Sequence, residues 1–271
     1  MRQYELVEKV KSYDPVADEE ALNRAYVFAM KMHAAQKRES GDPYFTHPLE
    51  VAEILISYRM DYATIIAALL HDTVEDTAAS YEDLKELFGQ TIADLVRGMT
   101  KLSKLEITPQ ASKQAQNFQK LVLAISEDIR VLLIKLADRL EVMRSLDMFP
   151  KLSRERKVLE TMMLYIPLAH QLGLYNIKSE MEDIYFRHAD PEQYRAITNK
   201  LKSTERDRQK LMTQFIEPLK QKLSDEGIQY KLKVRTKTAL SIYKKMQKQK
   251  VPFEGVFDVF AIRFIIDCEE D

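Results

Sequence analysis

Apolar residues recur at intervals of three and four along most of this chain, and this spacing constrains the fold more than any other feature of the sequence. Only six glycines and nine prolines interrupt its 271 residues, so helical segments can run on without a break. In the segment 21–36 the apolar residues of one helical stripe are Leu22, Ala25, Phe28, Ala29 and Met32. The pattern predicts a string of helices over the first two hundred residues.

Capping residues predict where several helices begin and end. The predicted starts are Thr46, then Asp61 or Thr64, then Ser80 with Asp83 three residues later. Gly89 is the predicted end of the helix that Ser80 begins. The polar segment 107–116 lacks an apolar period and is expected to be a mobile loop, after which helical patterning returns over 118–125 and 130–143.

The pattern changes in the last third of the chain. Residues 191–223 are charged and amphipathic, which predicts a helical connector. After Gly227 the residues alternate, and we expect a strand over 228–234, a helix over 240–246 and a strand over 256–266. The predicted organisation is therefore a helical domain (1–190), a connector (191–226) and the start of an α+β unit (227–271).

Composition excludes several classes of protein. Forty-one Lys and Arg residues balance 42 Asp and Glu residues, so no overall basic field draws the chain to nucleic acid, and direct nucleic-acid binding is not expected. A single cysteine, Cys268, excludes an internal disulfide framework. No apolar run approaches the length of about 18 residues that a membrane span needs, and the first residues do not resemble a signal peptide. We expect a cytoplasmic protein without membrane contact.

Two histidines and two aspartates form a candidate metal site. His71 and Asp72 stand together at the end of an apolar helix, His47 lies on an earlier segment, and Asp138 lies within an apolar run. A carboxylate in so apolar a helix is costly to bury unless it is paired or binds a metal. The mixed nitrogen and oxygen donors suit Mn²⁺, Fe²⁺ or Zn²⁺.

Further residues allow two interpretations. Glu75 lies one helical turn after His71 with Asp76 beside it, which suits proton transfer in the same cavity. The same pair also fits a solvated helix end. A His-Asp pair is common at helix caps, His47 before a proline is often structural, and Asp138 with Arg139 fits an exposed ion pair. None of these signals is specific when taken alone.

The segments around these residues are much more specific. They read HAAQKRESGDPYFTHPLEVA, AALLHDTVEDT, LFGQTIADLVRGMTKLSKL, DIRVLLIKLADRL and YIPLAHQLGLYNIKSEMED. Together they resemble the amino-terminal half of the RelA/SpoT (Rel) family, over nearly the whole chain. The resemblance implies an all-α HD-domain helical fold, followed by the truncated start of an α+β nucleotidyltransferase-like domain.

The resemblance also implies a function. It assigns one Mn²⁺ to His47, His71, Asp72 and Asp138, and the activation of water to Glu75 and Asp76. Arg38, Ser40 and Tyr44 fall at the positions that bind the guanine nucleotide. The implied reaction is hydrolysis of the 3′-pyrophosphate of (p)ppGpp in the bacterial stringent response, and any contact with the ribosome is expected only through regions absent from this sequence.

The segment after Gly227 resembles the opening of the family's synthetase domain. Arg235 matches a position that contacts ATP, and Asp258 matches a Mg²⁺-binding aspartate. The family often has glycine before that arginine, where this chain has Val234. The later synthetase residues are not in the sequence, so we expect no transfer of pyrophosphate from this chain.

Two departures affect the predicted hydrolase pocket. The family usually continues from the metal aspartate with Arg-Leu-His-Asn, where this chain has Glu141 and Val142 in place of His-Asn, and Glu39 replaces a common lysine. We expect Glu141 to weaken binding of a polyphosphate unless it pairs with a neighbour such as Arg144 or Arg38. Two alternatives to a (p)ppGpp hydrolase stay open. One is a regulatory module of an attached synthetase, with impaired hydrolysis, and the other is an HD phosphohydrolase for another nucleotide.

Overall fold

The computed structural model describes residues 1–103 and 128–266. The predicted loop 107–116, the helical segment 118–125 and Cys268 lie outside the described residues. The chain divides into two compact units, Met1–Met181 and Glu182–Asp271.

Helices make up the first unit. In chain order they are α1 (Gln3–Lys11), α2 (Glu19–Met32), α3 (Thr46–Ser57), α4 (Tyr62–Leu70), α5 (Thr73–Asp76), α6 (Tyr81–Phe88), α7 (Gln90–Ser103), α8 (Ile129–Arg144), α9 (Lys151–Glu160), α10 (Ile166–Gln171) and α11 (Tyr175–Ala189), which continues into the second unit. A π-helical turn, Thr161–Tyr165, joins α9 to α10. The prediction of a helical first part is confirmed for the described residues.

Capping accounts for the boundaries of α4 and α6. The side chain of Asp61 accepts a hydrogen bond from Thr64 N at 3.1 Å and so begins α4, as predicted. Ser80 and Asp83 form the predicted capping box of α6, which ends at Gly89 with a φ of +85°. At α3 the predicted cap is wrong, because Phe45 is the residue before the helix and Thr46 donates its hydroxyl to Pro43 O instead.

Helix α4 runs through the centre of the first unit. All its residues from Ile65 to Leu70 are fully buried, and it packs against α2, α3, α7 and α8. Helices α7 and α8 approach each other closely at Gly98, where a Cβ atom would lie 2.7 Å from Val131. A larger residue would push these helices apart, which explains a glycine inside a helix.

The second unit combines helices with a two-stranded sheet. Its elements after α11 are α12 (Pro191–Ser203), α13 (Glu205–Asp225), β1 (Tyr230–Thr236), α14 (Ala239–Gln249) and β2 (Phe260–Ile266). The strands are antiparallel and pair Tyr230 with Ile266. Helices over the segment 191–223 and a strand, a helix and a strand after Gly227 are present in the predicted order, and the first segment contains the two helices α12 and α13. In the part of the chain that the structure describes, no helix has both the length and the apolar character needed to cross a bilayer.

Candidate functional site

The two histidines and two aspartates of the predicted metal site lie together inside the first unit. One ligand atom from each of His47, His71 and Asp138 lies within 4.8 Å of the others, and all three residues are buried. The carboxylate of Asp72 lies 3.1 Å from His71 Nε2 and 3.6 Å from His47 Nε2. We call these four residues the metal cluster. The fold thus brings three separate segments to one point.

The buried helices account for the position of the metal cluster. Because α4 is buried from Thr64 to Leu70, the turn that follows it places His71 and Asp72 in the interior. Asp138 is held from the other side by α8, whose neighbouring residues Ala137 and Leu140 are also buried. His47 lies in the first turn of α3. His47 and Asp138 are therefore held within helices, and His71 and Asp72 by the short turn that joins α4 to α5.

Hydrogen bonds orient both imidazoles of the metal cluster. His71 Nδ1 lies 2.8 Å from Ala68 O, which can only accept, so Nδ1 carries the proton. His71 Nε2 is buried without a hydrogen-bond partner. His47 Nδ1 donates to Glu141 Oε2 at 2.5 Å. Both Nε2 atoms therefore face the metal cluster, and an acceptor on Nδ1 is the arrangement that orients histidine ligands in metal proteins.

The carboxylates make the metal cluster attractive to positive charge. Burial lowers the pKa of His47, but Asp138 and Glu141 outweigh it and raise that pKa to about 10. Burial raises the pKa of Asp138, yet Lys135, His47 and His71 hold it well below its ordinary value. The pKa of Asp72 is also lowered, because His71 and His47 outweigh its burial. Both aspartates are ionised at neutral pH, so the cluster suits a divalent cation.

Arg38 lies beside the metal cluster between two carboxylates. Its Nη2 donates to Glu141 Oε1 at 2.5 Å and its Nη1 donates to Glu50 Oε2 at 3.0 Å. Glu141 thus pairs with Arg38, one of the two neighbours considered from the sequence, whereas Arg144 pairs with Glu180 at 2.6 Å.

Tyr44 joins the metal cluster to α5. Its hydroxyl donates to Asp72 Oδ2 at 2.7 Å and lies 3.5 Å from Asp76 Oδ2. Burial, and then the charge of Asp72, raise the pKa of Tyr44 far above its ordinary value, so the hydroxyl keeps its proton. Glu75 lies on the same short helix as Asp76, and both residues are exposed. Their predicted roles in proton transfer stay predictions.

A cavity of about 560 Å³ opens beside the metal cluster. Its wall is formed by Lys37, Arg38, Glu39, Tyr44, His47, Asp72, Lys135, Asp138, Arg139, Glu141, Val142, Ser145, Met148, Phe149 and Lys157. A cavity of this size is large enough for a nucleotide. Glu39, Glu141 and Val142 are all in the wall, whereas Ser40 is not and instead donates its hydroxyl to Asp42.

Four cations of the wall were not predicted as site residues from the sequence: Lys37, and three on α8 and α9. Lys135 Nζ lies 2.8 Å from Asp138 Oδ2, and Arg139 pairs with Glu160 at 3.1 Å. Lys157 lies over the ring of Phe149, 4.6 Å from its centroid. The interpretation of Asp138 and Arg139 as an exposed ion pair is therefore wrong, because each has another partner and both are largely buried. The spacing of Lys135 three residues before Asp138 on one helix was the available signal.

The positions predicted from the synthetase resemblance lie in the second unit. Arg235 is exposed on β1. Asp258 accepts hydrogen bonds from Lys237 Nζ at 2.5 Å and from Lys245 Nζ. These two bonds lower the pKa of Asp258 to about 2. The roles suggested for Arg235 and Asp258 stay predictions.

Comparisons with known proteins agree with the geometry. The family model described as "HD domain" matches residues 25–175. The chain is 45% identical over its whole length to a GTP pyrophosphokinase rsh of Brucella ovis, of which it covers 36%. It is 42% identical over 96% of its length to a guanosine-3′,5′-bis(diphosphate) 3′-pyrophosphohydrolase of Aquifex aeolicus, and 40% identical over 95% to the bifunctional (p)ppGpp synthase/hydrolase SpoT of Escherichia coli.

The chain spans little more than a third of these relatives, since it covers 37% of each of the last two. Within that part the similarity runs through both units and is not confined to the short ligand motif. The match to the family model includes all four residues of the metal cluster. The RelA/SpoT resemblance of the motifs agrees with the names of these relatives. This chain belongs to the HD domain family.

Proposed function

We propose that this chain hydrolyses the 3′-pyrophosphate of (p)ppGpp, releasing GDP or GTP and pyrophosphate, as part of the bacterial stringent response. The observation that carries the proposal is the metal cluster at the wall of a 560 Å³ cavity that five cationic side chains also line. The names of two relatives, a (p)ppGpp 3′-pyrophosphohydrolase and a synthase/hydrolase, support the same substrate.

The metal is proposed to be one Mn²⁺, held by His47, His71, Asp72 and Asp138. Two imidazoles and two carboxylates match the mixed donors that Mn²⁺ accepts. His71 Nε2 is buried and lies 3.1 Å from the carboxylate of Asp72, and this pairing of an imidazole nitrogen with a carboxylate oxygen supports a cation at this point. When bound, such an ion lowers the pKa of water and neutralises charge on a phosphoryl group.

The cavity wall supplies the contacts for the substrate. Lys135, Arg139 and Lys157 offer positive charge from α8 and α9, and Lys37 and Arg38 offer it from the segment between α2 and α3. Arginine and lysine are the usual partners of phosphate in proteins. We assign the pyrophosphate to the Lys135, Arg139 and Lys157 side, because Lys135 reaches Asp138 directly.

Proton transfer is proposed to involve Asp76 and Glu75 on α5. Asp76 connects to the metal cluster through the hydroxyl of Tyr44, which also contacts Asp72. Tyr44 thereby holds the Asp72 carboxylate in one orientation and leaves a carboxylate of α5 near the attacking water. Arg38 and Tyr44, which line the cavity, are proposed to bind the nucleotide, whereas the same role for Ser40 rests on the resemblance alone. For the chain as a whole we propose a hydrolase domain (1–190), a connector (191–226) and the start of a synthetase domain (227–271).

A second candidate function is a regulatory module that binds metal or nucleotide without turnover. Val142 favours it, because this residue lies in the cavity wall and cannot form the hydrogen bonds of an asparagine there. The metal cluster favours the hydrolase, because all four ligand candidates are present.

The test is the release of pyrophosphate from ppGpp by the purified chain with Mn²⁺. We expect turnover that chelation of the metal abolishes, and that Asp72→Asn abolishes as well. Binding of Mn²⁺ and ppGpp without release of pyrophosphate would instead establish the regulatory module. Faster turnover of another nucleotide than of ppGpp would overturn the proposed substrate.

A further inference from the structure

Glu141 is a buried carboxylate whose two oxygens bind two different partners. Oε2 accepts a hydrogen bond from His47 Nδ1 at 2.5 Å, and Oε1 accepts one from Arg38 Nη2 at 2.5 Å. Only 3% of the side chain is exposed, so water cannot replace either bond. Glu141 therefore links a residue of the metal cluster to a cation of the cavity wall.

We propose that Glu141 is a positioning residue that fixes His47 as a metal ligand and holds Arg38 in the cavity wall. The inference rests on the proposed function, because it assigns the metal to His47 and the nucleotide to the cavity. The residue is a particular feature of this chain, since the resemblance leads to histidine at position 141.

The contact with His47 decides which imidazole nitrogen faces the metal. A carboxylate can only accept, so His47 Nδ1 donates to Glu141 and Nε2 is the nitrogen that faces the metal cluster. A bound metal would displace any proton from Nε2 and take its lone pair, while Nδ1 keeps its bond to Glu141. The carbonyl of Ala68 has the same effect on His71. Each imidazole of the cluster therefore has one acceptor, and for His47 it is a side chain that substitution can remove. Loss of such a partner usually weakens metal binding about 10- to 100-fold.

The contact with Arg38 has a second consequence. Glu141 would otherwise be a carboxylate without a counter-charge in a cavity proposed to bind polyphosphate. Pairing with the guanidinium offsets that charge, because Arg38 Nη2 donates a charge-assisted hydrogen bond to Glu141 Oε1. Glu50 contributes the other bond to Arg38, but its side chain is 54% exposed. Arg38 thus has two ion-pair partners, of which Glu141 is buried and Glu50 is exposed.

The experiment measures Mn²⁺ affinity by calorimetry, without nucleotide, for a set of matched variants. Glu141→Gln removes the carboxylate and is expected to weaken Mn²⁺ binding at least about tenfold. Arg38→Gln keeps the bond between Glu141 and His47, so its Mn²⁺ affinity is expected to stay within about threefold while its KM for ppGpp rises. Glu50→Gln is the control for a carboxylate lost from the same network, with Mn²⁺ affinity expected to stay within about twofold.

Folding is checked for every variant by circular dichroism. If Glu141→Gln does not fold, Glu141→Asp replaces it, because the shorter side chain cannot reach His47 and Arg38 together and should also weaken Mn²⁺ binding by more than about threefold. Unchanged Mn²⁺ affinity in a folded Glu141 variant, or an equal loss in Glu50→Gln, would overturn the proposal. Since Mn²⁺ binding is measured without nucleotide, a chain that fails to hydrolyse ppGpp would refute the proposed function and leave this result standing.

Discussion

Gln36 donates its side-chain amide to the main-chain carbonyl of Asp76 at 2.5 Å, which joins the segment after α2 to the short helix α5. His33 is buried behind it and lies 2.6 Å from Gln36 Oε1. The amide oxygen accepts, so His33 Nδ1 is the donor. This chain of bonds holds in place the helix that carries Glu75 and Asp76.

Replacing Gln36 by leucine should therefore lower kcat by up to about tenfold, since one neutral hydrogen bond contributes about 0.5–1.5 kcal/mol. Mn²⁺ affinity should change little, because Gln36 does not touch the metal cluster. Steady-state kinetics and calorimetry measure the two effects. The matched control is Gln171→Leu at the exposed end of α10. A loss of Mn²⁺ affinity with unchanged kcat would contradict this role.

The carboxylates of α5 lead to a second prediction. Glu75→Gln and Asp76→Asn should each keep Mn²⁺ bound, because these residues lie outside the metal cluster. Their kcat for ppGpp should fall about 10²- to 10⁴-fold if these carboxylates act as general acid or base. The variant Glu82→Gln, on the exposed first turn of α6, is the control. Unchanged kcat in both α5 variants would mean that the metal alone activates the water.

The grouping of the metal cluster and the pairing of Glu141 with Arg38 could be predicted from the sequence, but the contact between Glu141 and His47 could not. His71 and Asp72 are adjacent, and the motifs around Asp138 are distinctive. In contrast, Glu141 meets His47 only because α3 packs against α8, and no local pattern encodes that packing. The prediction that Glu75 faces the same cavity as His71, four residues earlier, assumed that both residues lie on one continuous helix. The helix α4 ends at Leu70 and α5 begins at Thr73. Glu75 is therefore exposed and does not lie on the same helical face as His71.

The strands and helix that follow Gly227 could also be predicted, because they depend on a local pattern in the sequence. The alternation after Gly227 is local, and the strands β1 and β2 follow it. The ion pairs of Asp258 with Lys237 and Lys245 join residues on different elements. Such contacts depend on how the elements pack, which a single sequence does not specify.

Removal of the metal should destabilise the protein. A ligand that binds only the folded state stabilises it by about 2.7 kcal/mol at 100 times its Kd, which raises Tm by roughly 5–10 °C for a chain of this size. We expect this rise on adding Mn²⁺ to chelator-treated protein. It should be absent in Asp72→Asn, which loses a charge beside His71. An equal rise in that variant would place the bound metal elsewhere.

Lys157 allows a test of the pyrophosphate position. It is half-buried in the cavity wall, whereas Lys151 on the same helix has a side chain that is 88% exposed. Because hydrogen bonds to charged groups contribute about 1.5–3 kcal/mol, Lys157→Met should raise KM for ppGpp at least about tenfold. Lys151→Met, the matched control, should leave KM unchanged. Equal KM values in the two variants would exclude Lys157 from the substrate site.

Glu141 and Val142 together replace the family's His-Asn pair, but their effects on the protein are expected to differ. Both line the cavity, but only Glu141 bonds to His47 and Arg38. Val142→Asn alone should lower KM for ppGpp by up to about tenfold, because the amide can form the hydrogen bond that valine cannot. Its kcat and Mn²⁺ affinity should stay close to those of the unmodified chain.

Glu141→His should behave differently, although it also restores a residue of the family. A neutral imidazole accepts from His47 Nδ1 less strongly than a carboxylate does, and it cannot offset the charge of Arg38. We therefore expect weaker Mn²⁺ binding and no fall in KM from this single change. The double variant should combine the lower KM of Val142→Asn with the weaker Mn²⁺ binding of Glu141→His. Kinetics at saturating Mn²⁺, together with calorimetry, resolve the two effects. If Val142→Asn leaves KM unchanged and Glu141→His lowers it, the carboxylate is the obstacle to the nucleotide and its pairing with Arg38 does not offset it.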